Sequence, residues 1–231
     1  RLESSGEVFQ QSIARHTLRN YIFLHAIDKG LPLPIGTQDS GLLDAGNYDE
    51  DVDDPNASAE LFEDENDAPG ADGKAPSLRT EDNFRERAAA MYAMYSRQFK
   101  SRFRWLRSDL FVKSLATELH DDAARLMQIL AQSGDWNPEQ DQKLAALHHL
   151  LTKKHPKDKV IVFTQFADTV RYLEQQLRAR GLQRSAGVTG DSEDPTSYAW
   201  RFSPESNQKR HQVKPEDELR VLLATDVLSE G

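Results

Sequence analysis

Apolar residues return at three- and four-residue steps over residues 2–29 and 81–151, and the period then shortens to that of strands. In residues 2–29, Val8, Ile13, Leu18, Ile22, Leu24 and Ile27 sit among polar neighbours until Gly30 and Pro32 end the pattern. This predicts a helix closing near Lys29. Between Glu81 and Leu106 there is no Gly or Pro, and Phe84, Ala88, Met91, Tyr95, Phe99 and Phe103 recur at helical spacing. One amphipathic helix is expected there, carrying the basic run from Arg97 to Arg107 on its last turns. Leu115, Leu119, Ala123, Leu126 and Leu130 predict a further helix to Gly134, and Pro138 opens another through Leu144, Leu147 and Leu151 to His155.

Residues 159–164, KVIVFT, form a short β-branched run of the kind that marks a strand buried on both faces. A helix from Asp168 to Arg180, closed by Gly181, follows. Residues 185–189 and 219–225 predict two more strands. Strand, helix, strand, helix, strand describes a parallel sheet with crossover helices, so the part beyond residue 138 is expected to be an α/β lobe.

Charge changes the picture in two places. Residues 39–73 hold thirteen Asp or Glu and no Lys or Arg, within a stretch from about 36 to 80 that is poor in large apolar residues. Such a composition cannot offset chain entropy and predicts an acidic, disordered insertion, read either as a solvated linker or as a mimic of DNA phosphate. The net charge of −9 therefore conceals a surplus of 29 basic over 25 acidic residues elsewhere. From Phe84 to Lys113 eight basic residues face two acidic ones. Arg102, Arg104 and Arg107, interleaved with aromatics, have two readings: cations snorkelling from a packed helix, or contacts to DNA phosphates. The expected order is then a linker helix over 1–35, the acidic insertion over 36–80, a basic and aromatic helical segment over 81–137, and the lobe over 138–231.

The chain has no cysteine, which excludes disulfide frameworks and thiolate metal sites. No apolar run approaches the roughly 20 residues that cross a bilayer, and no signal peptide opens the chain. A soluble cytoplasmic protein without a membrane partner is expected. The histidines form no His-Glu-x-x-His pattern, and no Gly-x-Ser-x-Gly elbow occurs.

Ligands of open parallel sheets bind at the carboxyl ends of the strands. Thr164 and Gln165 follow the first strand, Thr189, Gly190 and Asp191 the second, and Thr225 and Asp226 the third. Hydroxyls, a Gln amide and glycine amides on one edge suit contact with a phosphate backbone.

The string LRVLLATDVLSEG at 219–231 resembles motif V of superfamily 2 helicases, and KVIVFTQFADTV at 159–170 resembles motif IV in its SWI/SNF form. Residues 188–190, VTG, stand where that family has an intermediate Thr-Gly motif. The start of the chain is similar to the segment leaving the first lobe in bacterial members, some of which carry a phospholipase D-like domain. The chain reads as a piece of such a motor, beginning at Arg1 and stopping after motif V. The resemblance implies an incomplete RecA-like parallel sheet, the C-terminal lobe of a P-loop NTPase helicase, with an N-terminal helical extension.

It further implies an ATP-dependent DNA translocase whose partners are DNA, ATP with Mg²⁺, and an N-terminal RecA-like lobe. Carried over, Thr164, Gln165, Thr189, Gly190 and Thr225 would contact DNA, and Asp226, Glu230 and Gly231 would lie near ATP. Glu230 stands where many relatives have Arg. A phosphate loop is absent, since Ala68 replaces its first Gly and Ala75 follows Gly73 and Lys74, and an arginine finger would lie past Gly231. Alone, the chain is expected to be inactive and to hold no cofactor. The competing reading is a non-catalytic α/β interaction scaffold with an acidic tether for a basic partner.

Overall fold

The computed structural model describes residues 5–36, 78–190 and 192–225. The acidic insertion expected between 36 and 80, Asp191, and the segment holding Asp226, Glu230 and Gly231 lie outside them, apart from a few flanking residues of the first. The described residues divide into two compact units: a helical one, residues 10–36 and 78–135, and an α/β one, residues 5–9 and 136–225.

In the helical unit, α1 (Gly6–Asp28, its first turn counted with the other unit), α2 (Glu81–Arg97) and α3 (Leu115–Ser133) enclose a core of Leu18, Tyr21, Ile22, Phe84, Tyr95 and Leu130. Thr80 caps α2 through its side chain, which accepts from the Asn83 amide at 3.3 Å. Its neighbour Arg79 donates to the Leu130 and Gly134 carbonyls at the C-terminal end of α3, where backbone acceptors outnumber backbone donors. Two short strands, β1 (Leu33–Ile35) and β2 (Arg104–Leu106), pair antiparallel with Ile35 opposite Arg104.

The helix expected to run to Leu106 stops at Arg97, so the basic helix from Arg97 to Arg107 does not exist. A single turn of 3₁₀ helix at Lys100–Arg102 and the strand β2 replace it. The reason is the aromatic residues. Along one helix Tyr95 and Phe103 would stand about 12 Å apart. Their ring centroids lie 4.6 Å apart, because the chain folds back. Trp105 continues the cluster edge-on to Phe103 and Tyr92, and its indole N–H donates to the Lys100 carbonyl at 2.8 Å. Tyr92 in turn donates to the Pro32 carbonyl at 2.8 Å, tying the β1 approach to α2.

The α/β unit holds a parallel sheet in the order β3 (Val160–Phe163), β5 (Val221–Ala224), β4 (Ser185–Val188). Helix α5 (Ala167–Ala179) joins β3 to β4, and α6 (Pro195–Phe202) joins β4 to β5. The segment after Pro138 begins as a 3₁₀ turn, and α4 (Gln142–His149) starts only at the Asp141 cap before widening into a π turn, Leu150–Lys154. Leu182 N–H reaches back to the Leu177 carbonyl at 3.0 Å around Gly181, whose φ of 81° suits the left-handed end of α5. Gly187 serves the same helix from β4, since a Cβ there would meet Glu174 Oε2 at 2.7 Å and Val170 Cγ1 at 2.8 Å.

One face of the sheet packs Val160, Val162, Val221 and Leu223 against Leu144, Leu151, Val170 and Leu177. On the other, α6 brings Tyr198 and Phe202 to Ala186, Val188 and Leu222. That cover stops short of β3, where Ile161 and Phe163 are 43% and 59% exposed. The expectation that β3 is buried on both faces is therefore wrong. Beneath the sheet a buried polar chain joins three segments. Trp136 Nε1–H donates to the Tyr172 hydroxyl at 3.1 Å, which donates to Asp141 Oδ2 at 2.7 Å, while Asp141 Oδ1 accepts the Lys143 and Leu144 amides at 3.0 Å. Burial, with the Asp141 carboxylate adding to it, pushes the Tyr172 hydroxyl well above the ordinary tyrosine value.

Candidate nucleic-acid interface

The register of the sheet decides where the strand ends fall. Phe163, Ala224 and Val188 are aligned across β3, β5 and β4, so Thr164, Thr225 and Thr189 come next in a row at the carboxyl edge. The ladder extends into this row: Thr164 N–H donates to the Ala224 carbonyl at 3.0 Å, and Thr225 N–H to the Val188 carbonyl at 3.1 Å. Neighbouring strands are about 4.8 Å apart, so the three residues stand side by side.

The three threonines differ in access. Thr164 is half-buried, and its Oγ1 accepts from the Phe166 amide at 3.5 Å. Thr189 is 7% exposed; its amide donates to Ser192 Oγ at 3.0 Å, and the Ser192 amide returns a bond to its carbonyl. Thr225 is fully buried. Gln165 and Gly190 are exposed and form the accessible part of the edge. Ser192, which shapes the loop after β4, escaped sequence reasoning because Thr189 and Gly190 alone carried the motif; the short polar run to Asp194 was its signal.

Electrostatics on this edge are weak or adverse for an anion. The loops at 164–166 and 189–194 carry no Lys or Arg, and Glu193 and Asp194 are exposed. Asp194 is engaged as the cap of α6, accepting from the Ser197 amide at 3.0 Å. In the first turn of α5, Asp168 is buried and lies 3.4 Å from Arg171. A phosphate here would be held by neutral donors.

The three candidate arginines lie in the helical unit. Arg104 projects from β2 and is exposed. Arg102 is half-buried, with its guanidinium 5.4 Å from the Phe99 ring. Arg107 is exposed and pairs with Asp109, a bond that raises the guanidinium's proton affinity and lowers that of the carboxyl. The structure thus groups the sequence-derived positions into two sets, the edge row of the α/β unit and the arginines of the helical unit. Asp226, Glu230 and Gly231 lie outside the described residues.

No family model matches the chain, and no curated protein or solved structure matches it. Among the described residues, no helix is long and apolar enough to cross a membrane.

Proposed function

We propose that the chain is part of an ATP-dependent DNA translocase of the SWI/SNF type, with its sheet forming an incomplete RecA-like C-terminal lobe. The observation carrying this reading is the aligned row of Thr164, Thr225 and Thr189, with Gln165 and Gly190 beside it. The strands of the three motif strings end at the same edge of one parallel sheet, as a lobe that tracks a phosphate backbone requires. DNA would meet Thr164, Gln165 and Gly190 here, with Thr189 and Thr225 buried behind them in the same row, and Arg102, Arg104 and Arg107 on the helical unit. ATP with Mg²⁺ would be held by Asp226, Glu230 and Gly231 together with a partner lobe that supplies the phosphate loop.

The burial of Thr225 gives its role a particular form. Buried as it is, Thr225 would act on DNA indirectly, through the residues that follow it in sequence, which are those assigned to ATP. Thr225→Ala in a form of the protein that includes the phosphate-binding lobe is expected to lower DNA-stimulated ATP hydrolysis at least tenfold and basal hydrolysis far less, a loss of about 1.4 kcal/mol. The 231-residue chain alone is expected to hydrolyse no ATP. Turnover by that chain, or full DNA stimulation in the Thr225 variant, defeats the reading.

The exposed Ile161 and Phe163 favour a second reading, an α/β interaction scaffold whose open sheet face takes a protein partner. DNA-stimulated hydrolysis separates the two, since a scaffold has none.

A further inference from the structure

Leu110 is 68% exposed and Val112 71%, the two most exposed large aliphatic side chains among the described residues. Between them Phe111 is extended, with φ −97° and ψ 154°, and its ring packs on the helical core. Leu110 closes the 3₁₀ turn Ser108–Leu110, and Val112 follows Phe111. Phe111 is thus anchored inward while both flanking aliphatic groups stand in solvent.

This tip belongs to a strongly cationic stretch. Residues 97–113 contain Arg97, Lys100, Arg102, Arg104, Arg107 and Lys113 against one carboxylate, Asp109, and Arg107 already pairs with it. The stretch is held in place by the Tyr95–Phe103 contact and by the Trp105 bond to the Lys100 carbonyl.

We infer that residues 97–113 form a docking surface for duplex DNA, with Leu110 and Val112 wedged from a groove between base steps while the arginines reach phosphates. The inference rests on the DNA reading above and adds the side chains that touch the groove. Charge complementarity selects a polyanion. Four of the six cations are Arg, whose planar fork matches phosphate oxygens. A bilayer is the other polyanionic surface, but two aliphatic side chains bury too little to hold a protein there, whereas a DNA-bound protein draws most of its affinity from phosphates and needs only a small apolar wedge to unstack a step.

The test uses the 231-residue chain and a short fluorescein-labelled duplex carrying 2-aminopurine, followed by anisotropy over a range of salt. The double variant Leu110→Ser, Val112→Ser is expected to bind about tenfold more weakly with an unchanged salt slope, because the lost contact is apolar. Its 2-aminopurine signal is expected to lose the rise that wild-type binding gives. The triple variant Arg102→Gln, Arg104→Gln, Arg107→Gln is expected to flatten the slope by about 2 to 3. Both sets are mostly exposed, so thermal melting checks that each variant folds. If the arginine variant flattens the slope while the aliphatic variant binds and reports as wild type, the groove contact is overturned and DNA binding stands. Absence of any duplex binding overturns both. Binding to phosphatidylserine vesicles that needs Leu110 and Val112 and that duplex does not compete away also overturns the proposal, in favour of a membrane surface.

Discussion

The helical unit and the α/β unit bury comparable helices by different means. In the first, rings do the close packing: Tyr21 stacks on Phe84 at 5.8 Å, Tyr95 meets Phe103 tilted at 4.6 Å, and Trp105 meets both Tyr92 and Phe103 edge-on. In the second, the two sheet faces are filled chiefly by Val, Leu and Ala, and Tyr and Trp enter mainly where a polar tip finds a partner. A few rings can close a turn between residues eight apart in sequence. Aliphatic packing spreads the same task over many residues, and there the strand register sets the geometry.

The largest consequence falls on Phe103, which is 6% exposed and contacts Tyr95 and Trp105. Phe103→Ala is expected to destabilise the helical unit by about 3 to 5 kcal/mol, since it removes a large ring and leaves a cavity. Urea unfolding followed by helix ellipticity measures it. A midpoint equal to the wild type would mean that the rings do not hold the turn, and the contrast between the units would lapse.

The same contrast explains what could be read from the chain beforehand. The strands at 160–163, 185–188 and 221–224 were visible because the β-branched run of the first, the short apolar run of the last, Gly181 and the crossover spacing all point to one topology. The alignment of Thr164, Thr225 and Thr189 follows from that reading. The end of α2 was hidden, because Phe99 and Phe103 continue its four-residue step while serving a fold-back. The alternation of Arg102, Phe103, Arg104 and Trp105 was the competing two-residue signal. Strand β1 was concealed by Pro34, which is tolerated there because β1 has only one pairing partner among the described residues. The exposure of Ile161 and Phe163 depends on how far α6 reaches over the sheet, and no local pattern encodes that reach.

In the α/β unit, charge does part of the fixing. Glu218 lies 2.6 Å from Lys159 and 2.5 Å from Arg210, and these two cations hold its carboxyl at about 2, against an ordinary 4.5. Lys159 also donates to the Phe202 carbonyl, so the pair links β3 to the end of α6. A carboxyl depressed in the folded state adds stability above its unfolded value and loses it as pH falls toward the folded one. Glu218→Gln is thus expected to cost about 1 kcal/mol at neutral pH, a figure reduced because both cations are more than a third exposed. In urea titrations the gap to wild type should stay constant down to about pH 5 and close between 4.5 and 2. A gap that does not change with pH would assign the cost to packing instead.

The smallest effect is expected at Phe163, where the contrast is sharpest within one sheet. Leu223, on the central strand, is fully buried, whereas Phe163 in the edge strand is 59% exposed. Leu223→Ala removes a side chain packed on every side and is expected to cost about 2 to 5 kcal/mol. Phe163→Thr keeps a good strand former in an edge strand and gives up only the contacts of a ring that is mostly in water. Its cost is expected to be about 0.5 kcal/mol or less. The pair of variants tests whether the uncovered part of the face is open in solution. If the threonine variant loses as much as the alanine one, Phe163 is covered there. Repeating the urea titration at two protein concentrations then identifies the cover, because a second copy makes the midpoint depend on concentration and a segment of the same chain does not.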